Sequence, residues 1–342
     1  MSQIGPLMTG GGDKIAETYA GRKIAITGGL GFIGSNLARR LVDLGSEVLI
    51  IDSLSPDYGG SRFNIAEIED GVRISMSDVR DEQSMSRLVQ GQHYLFNLAG
   101  QTSHTDSMNM PYLDMDINSR AQLSILEACR HYNPDIKVVF ASTRQLYGNP
   151  QYLPVDEDHP ISCPDVNAIN KLSGEWYHLL YQDVYGIRSS VLRLTNTYGP
   201  RMRVKDAKQM FMGVWVRLLI EGKPLQVFGD GSQIRDFNYV DDVVEAFLLA
   251  GALEVAEGEV FNLGAPDPVS LKDVAETMIE RNGGGDYEMI PFPAERQAID
   301  IGDYYGDYKK IKSSLGWEPK VFLTKGLDLT LAYYHEHRNE YW

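Results

Sequence analysis

Apolar positions in this chain follow two alternating rhythms. Short apolar or β-branched runs at 23–27, 47–51, 72–76, 93–98, 136–141 and 187–193 each predict a strand. Helical spacing of apolar residues fills the gaps at 32–44, 81–90, 112–132 and 165–185. Strand–helix alternation predicts an α/β protein with a doubly wound parallel sheet and helices on both faces. After Pro200 the rhythm changes. A helix is predicted over 207–221, a short strand over Leu225 to Phe228 and a turn at Gly229–Gly231, followed by a loop to Arg235. The stretch from Asp241 to Leu253 reads as a helix, and Glu259 to Leu263 as a strand returning to the sheet. A helix at 270–281, a Pro-rich connector at 291–293 and a terminal helix near 325–338 complete the pattern.

The join between the first strand and helix carries the clearest chemistry. The run from Lys23 to Thr27 ends in a loop with Gly28, Gly31 and Gly34, and the helical pattern starts near Phe32. Gly28 permits a tight turn, Gly31 lets the backbone approach a pyrophosphate, and Gly34 lets helix pack on strand. The helix N-terminus then directs amides and a positive dipole end at the phosphates. This is the signature of a Rossmann-type dinucleotide site. Asp52 ends the next strand, where a carboxylate accepts hydrogen bonds from the adenosine ribose hydroxyls. It repels a 2′-phosphate, and neighbouring Ser53 and Leu54 supply no cation, so NAD is expected over NADP. Asp78 and Val79 follow the third strand and are placed near the adenine. Ligands bind beyond the carboxyl ends of such strands. Ala99 to Gln101, Ser142 to Thr143 and Thr195 to Asn196 therefore join the candidate crevice. The division expected is a flexible leader over 1–20, an NAD-binding domain over 21–196 to which 236–264 returns, and a smaller discontinuous lobe formed by 197–235 and 265–342.

The bulk numbers exclude several partners. With 47 acidic against 32 basic residues, the formal charge of −15 disfavours nucleic acid and anionic lipid. No apolar run is long enough to span a membrane. Cys129 and Cys163 are too few for a disulfide framework or metal cluster, which suits a reducing, cytoplasmic compartment; no metal is expected.

Together the motifs resemble an extended short-chain dehydrogenase/reductase of the nucleotide-sugar epimerase, dehydratase and decarboxylase branch. They are Thr27-Gly-Gly-Leu-Gly-Phe-Ile-Gly34, Asn97-Leu-Ala-Gly100, Asn118, Ser142-Thr-Arg-Gln-Leu-Tyr-Gly148, Arg193-Leu-Thr-Asn-Thr-Tyr-Gly-Pro200, Gly229-Asp-Gly-Ser-Gln-Ile-Arg-Asp236 and Leu315-Gly-Trp317. The resemblance covers roughly 22–340. It implies that Phe32, Ile33, Leu98, Ala99, Gly100 and Asn118 help hold the cofactor. It implies that Thr143 holds the sugar oxygen that becomes a carbonyl. It also implies that Lys171 binds the nicotinamide ribose, that Asn196 contacts the substrate diphosphate, and that Arg235 pairs with that diphosphate. Gln101, Arg144 and Gln145 fall on the substrate side. Arg201 and Arg296 are further candidates, with solvated surface arginines as the alternative. The helices near 113–132 and 168–185 match a dimerising pair, with apolar positions 123, 126, 172, 176, 179 and 180; intrachain core is the alternative.

Two departures bear on the reaction. The family pattern is Tyr, three residues, Lys, which one helical turn puts on one face. Here the segment Pro164-Asp-Val-Asn-Ala-Ile-Asn-Lys171 places Asn167 at the tyrosine position. An amide is neither acid nor base near neutral pH, and loss of a positioned proton-transfer group costs about 100- to 10,000-fold in rate. Three readings stay open. Lys171 could move the proton itself; Tyr147, His104 or Tyr152 could reach in; or the chain binds its ligands and catalyses weakly. Tyr147 and His104 read more simply as a packing aromatic and a loop histidine. Second, Arg144 and Gln145 stand where dehydratases carry Asp-Glu, and Gln145 where decarboxylases carry Glu. Epimerisation at C4 of a nucleotide-diphosphate sugar loses least from these changes. A net dehydrogenase, a uronic-acid decarboxylase and a catalytically impaired binder are the alternatives. Arg144 could instead meet an acidic group on the sugar or form a structural salt bridge.

Overall fold

Seven short runs pair side by side to form the central sheet of the computed structural model, which describes residues 10–56, 58–206 and 210–342. The strands are β1 (Lys23–Thr27), β2 (Glu47–Asp52), β3 (Val72–Met76), β4 (Tyr94–Asn97), β5 (Lys137–Thr143) and β6 (Ser189–Leu194), with β11 (Val260–Asn262) added at one edge. Their order is β11-β6-β5-β4-β1-β2-β3, and every pairing is parallel. The inner strands are buried on both faces, as the apolar runs of β1, β2 and β5 require, and β6 buries Ser189, Ser190 and Arg193 beside its apolar residues. The chain winds outward in opposite directions from β1 and β4, so a crevice opens beyond their carboxyl ends.

Helices close both faces. On one lie α1 (Gly10–Tyr19), α2 (Phe32–Asp43) and α9 (Val240–Ala252), where Ile15, Leu37, Leu41 and Phe247 share a core with Ile24, Ile26 and Phe96 of the sheet. On the other lie α3 (Glu82–Leu88), α6 (Ala121–Tyr132) and α7 (Val166–Tyr185), packed through Met85, Ile125, Leu126, Cys129 and Tyr181. Between β4 and α6 come two short helices, α4 (His104–Asn109) and α5 (Pro111–Met115), and a π-helical turn at Asp116–Arg120.

Beyond β6 a separate core forms over the crevice. Its elements are β7 (Asn196–Tyr198), α8 (Phe211–Ile220), β8 (Leu225–Phe228), β9 (Ile234–Arg235), β10 (Phe237–Tyr239), β12 (Val269–Ser270), α10 (Leu271–Arg281), β13 (Tyr287–Ile290), α11 (Ala294–Gln297) and α13 (Leu323–Tyr341), while α12 (Lys309–Leu315) returns Ile311 and Leu315 to the first core beside β11. Trp215, Leu219, Val274, Met278, Leu327 and Leu331 fill the centre of the separate core. Here β8 pairs with β13, β9 with β12 and β7 with β10.

The leader expected to be flexible over 1–20 is corrected over its second half. Residues 10–19 form α1; Ile15 and Tyr19 are buried, and the Tyr19 hydroxyl donates to Leu248 O at 2.7 Å. The Ile15/Tyr19 pair, one helical turn apart, supplies an apolar face that the glycines at 10–12 obscure in the sequence. Residues 1–9 lie outside the described residues, as do 207–209 of the helix expected over 207–221. The helix expected as continuous over 112–132 is interrupted by the π turn.

His178 of α7 is fully buried and stacked on Phe140 with ring centroids 4.4 Å apart. Its Nδ1 donates to Gly174 O at 2.7 Å, and its Nε2 faces the Asn97 amide at 3.4 Å. Both nitrogens are satisfied as a neutral ring. Burial, aided by the Lys171 charge, pulls the imidazole from 6.5 down to about 4. The unfolded chain therefore binds this proton first, and the stability tied to it is present above 6.5 and lost as pH falls towards 4. Denaturant unfolding of His178→Phe should show an acid-side loss smaller than wild type by about 3 kcal/mol. Equal losses in both proteins would contradict a neutral buried ring.

Candidate functional site

The crevice begins where β1 and β4 end. Thr27 Oγ1 donates to Asn97 Oδ1 at 2.9 Å and accepts from Leu98 N and Ala99 N at 3.0 and 3.1 Å. That one hydroxyl holds the two strand ends together. Gly28 has φ +70°, and a Cβ there would meet Ala99 N at 3.0 Å. A Cβ on Gly34 would lie 2.3 Å from Gly28 O, so α2 starts against the loop itself. No side chain caps α2; its N-cap is Gly31. The cradle fits a pyrophosphate, which needs bare backbone and open amides. Asp52 Oδ2 accepts from Leu30 N at 3.0 Å and Oδ1 from Leu54 N at 2.8 Å, while burial pushes its carboxyl up against these bonds. Asp78 is bound by Arg80 through Nε at 2.9 Å, and that pairing holds its carboxyl below the usual range despite burial.

One continuous cleft is lined by Gly28, Gly31, Phe32, Ile33, Gly34, Asp52, Ser53, Asp78, Val79, Leu98, Ala99 and Gly100 on the side of the loop. It continues past Gln101, Thr143, Arg144, Gln145, Asn167, Lys171 and Asn196. Sheet geometry thus brings together most of the residues that the strand ends suggest. The cleft also includes His104, one of the candidates for proton transfer, and Tyr58, Arg80, Thr102, Met202 and Arg203, which strand-end reasoning did not assign to a ligand. They sit on loops and a short helix whose course no periodicity reveals.

At the far end, Thr143 terminates β5 and accepts from Gln145 N at 3.1 Å through Oγ1. Lys171 comes from α7; Nζ donates to Ala141 O at 3.0 Å. Burial lowers the ammonium to about 8 against the opposing pull of Asp114. Gly100 admits that head group: a Cβ there would lie 2.9 Å from both Lys171 Nζ and Asn118 Oδ1. Asn167 is buried, and its amide donates to Gln101 O at 2.8 Å and Asp114 Oδ2 at 3.0 Å. Asp114 Oδ2 also accepts from Asn118 at 3.1 Å, and Oδ1 from Asn170 at 2.8 Å, so three asparagines hold one fully buried carboxylate.

Five expected site residues lie off the cleft wall. Tyr147, named as a catalytic candidate, is fully buried; its hydroxyl donates to Asn262 Oδ1 at 2.7 Å and accepts from Arg193 at 2.6 Å. Arg193 in turn pairs with buried Glu175. Burial pushes the Tyr147 phenol up to about 12, so neither its place nor its acidity suits proton transfer. Arg235 is also buried, with Nη1 donating to Ile234 O at 2.9 Å and Nη2 3.4 Å from Asp300 Oδ1. Arg296 stacks over Phe228 at 5.4 Å. Arg201 donates to Asn36 Oδ1 at 2.9 Å and Asn64 O at 3.1 Å, bracing loop to lobe. Asn118 acts from behind the wall: its amide donates to Gln101 O at 2.9 Å. Tyr152, the other tyrosine considered for proton transfer, is exposed and bonds Asp156 at 2.7 Å. Arg144 does stand on the wall. Its Nη1 donates to Thr195 Oγ1 at 3.1 Å, and its guanidinium lies over the Tyr304 ring at 5.1 Å. The Gln145 amide is turned to Asp165 Oδ2 at 3.0 Å and Ile299 O at 3.2 Å.

A parallel sheet with a glycine cradle at its switch point, and Thr143 and Lys171 across the same cleft, defines a nucleotide-linked short-chain dehydrogenase/reductase. The profile of the family described as GDP-mannose 4,6 dehydratase matches residues 25–330, and the chain belongs to that family of nucleotide-sugar epimerases and dehydratases. A relative described as a putative UDP-glucose 4-epimerase, from Methanocaldococcus jannaschii, is 33% identical over 306 residues, covering 89% of this chain and 95% of that protein. The UDP-glucose 4-epimerase of Thermotoga maritima, solved with UDP-glucose, superposes with a TM-score of 0.84 at 32% identity, covering 92% of this chain and 99% of that one. The UDP-glucose 4-epimerase of Thermus thermophilus, solved with NAD, gives 0.82 at 30% identity over 91% and 98%. Among the described residues no helix is long and apolar enough to cross a membrane, and no cluster of His, Cys, Asp and Glu could hold a metal.

Gly34→Val should abolish dinucleotide binding by titration calorimetry, because its side chain must displace the carbonyl of Gly28. Wild-type affinity in that variant would show that the loop does not form the cradle.

Proposed function

We propose that the chain is an NAD-dependent nucleotide-sugar 4-epimerase and that its substrate is a nucleoside-diphosphate hexose. The observation that carries the reading is the state of the two residues next to Thr143. Gln145 spends its amide on Asp165 and Ile299, and Arg144 is a cation, so among the described residues the wall beside Thr143 offers no carboxylic acid and base for expelling water. Epimerisation needs neither. NAD, when bound, supplies a hydride acceptor that can return the hydride. Thr143 then holds the C4 oxygen by a hydrogen bond from its hydroxyl. Lys171, depressed to about 8, places a cationic donor near neutrality at the same end of the cleft and favours the alkoxide-like oxygen. The Arg144 charge adds a donor for the sugar or for the developing oxyanion.

A homodimer belongs to the same proposal. On α7, Ile169, Trp176, Leu180 and Val184 are all exposed and share one face, and Tyr112 of α5 is 79% exposed. Such a stripe favours an isologous four-helix contact between two copies. Of the expected contact positions, Leu126 lies in the intrachain core instead.

Three outcomes test these readings. Supplied with UDP-hexoses, the enzyme should interconvert C4 epimers by NMR, with only transient absorbance at 340 nm. Accumulated NADH would indicate net oxidation, and loss of carbon dioxide from a uronate would indicate decarboxylation. Lys171→Met should lower turnover about 100-fold or more. Trp176→Glu should convert a dimer to a monomer in light scattering; an unchanged mass would remove the α7 face from the interface.

A further inference from the structure

Among the described residues, the titratable side chains on the cleft wall divide between its two ends. Asp52, Tyr58, Asp78 and Arg80 belong to the β2–β3 side, as does Arg203, whose Nη1 donates to Pro56 O at 3.1 Å, while His104, Arg144 and Lys171 stand on the β4–β5 side with Thr143. Of the latter, an arginine is permanently charged and Lys171 is already donating to Ala141 O. His104 remains, and an imidazole is the side chain whose chemistry suits proton exchange near neutrality.

Its setting is specific. Ser103 caps α4 by accepting from Asp106 N at 3.1 Å, which fixes His104 as the first helical residue. Ser107, one turn on, accepts from Asn167 N at 3.2 Å and ties α4 to the start of α7. There Asp165, fully buried as a side chain, caps α7 through Oδ1 to Ala168 N at 2.7 Å. Its other oxygen, Oδ2, lies 2.9 Å from His104 Nδ1 and accepts from Gln145 Nε2 at 3.0 Å. The ring N–H is not well aligned for a hydrogen bond, but the distance is that of an ion pair. Burial pushes the Asp165 carboxyl up, yet its donors, His104 first, outweigh that and leave it below the usual range. With Nδ1 beside the carboxylate, Nε2 is the nitrogen left for the cleft. The His104 side chain is 34% exposed.

We propose that His104, oriented by Asp165, is the proton-transfer residue of this cleft, in the role that the Asn167 amide cannot perform. The inference rests on the epimerase reading above. As the C4–H electron pair leaves as hydride to the oxidised dinucleotide, the O–H bond of the C4 hydroxyl breaks. Its electron pair becomes the C=O π bond, and the proton goes to His104 Nε2. On the return the imidazolium gives that proton back to the same oxygen. Asp165 is a positioning residue: it keeps the proton of the neutral ring on Nδ1 and steadies the imidazolium. The charged groups on the elements packed around α4 are Asp106 on α4 itself, Asp114 on α5, Asp165 at the cap of α7 and Lys171, Glu175 and Asp183 along it, with Arg144 also on the cleft wall.

The test uses the full chain. His104→Gln should lower kcat about 100- to 10,000-fold, abolish the acid limb of the pH profile, and leave NAD affinity unchanged by calorimetry. Asp165→Asn keeps the helix cap and should lower kcat while moving the His104 imidazole signals in NMR. That shift needs no cofactor or turnover. The same imidazole signals should move when UDP-hexose is added. A wild-type enzyme that epimerises, with His104→Gln matching it in rate and acid limb, overturns the histidine alone. An imidazole indifferent to both Asp165→Asn and UDP-hexose overturns it as well. A wild-type chain inert towards every sugar nucleotide removes the epimerase reading and the histidine's role with it.

Discussion

The close approach of β1 and β4 at their carboxyl ends is the constraint on which the site depends. Thr27 bridges the strands with one hydroxyl, and Gly28 turns there because a side chain would strike Ala99. Everything functional is measured from that junction. The loop passes close enough for α2 to begin against its own carbonyl. On the β4 side, Gly100 leaves space for Lys171 to cross from α7, and the chain then turns into α4. A wider junction would separate the cradle from the residues beyond β5.

Much of this order is legible in the sequence because a parallel sheet converts spacing into position. Buried strands read as apolar runs, and residues just past them fall at one rim. Thr143, Asn196 and Gln101 reach the cleft for that reason. Legibility fails where local signals are weak or masked. Three glycines hide the start of α1, although its Ile15 and Tyr19 are as firmly packed as any core residue. The π turn at Asp116–Arg120 adds a residue to one turn without breaking the apolar rhythm, so it reads as plain helix.

The direction of a side chain is harder still to read. Tyr147 lies four residues beyond Thr143, yet the one-turn helix between them sends it inward to Arg193 and Asn262. Arg235 has the right charge for a diphosphate, but backbone carbonyls and Asp300 already occupy it. His104 shows the converse. The sequence offers it as one of three candidates and reads it more simply as a loop histidine, because the carboxylate beside it comes from a distant helix cap. Long-range pairs of this kind leave no periodic trace.

The knot of asparagines around Asp114 constrains what position 167 can carry. Asn118, Asn167 and Asn170 each give an amide to one buried carboxylate, and Gln101 O receives two of the same amides. A buried carboxylate that loses a donor is destabilised by about 1–3 kcal/mol or more. Replacing Asn167 by a residue without an amide would take one of the three asparagine donors from Asp114. Residue 167 therefore answers to two demands at once, the balance of a buried carboxylate and the lining of the cleft, and a side chain that suits one must also satisfy the other.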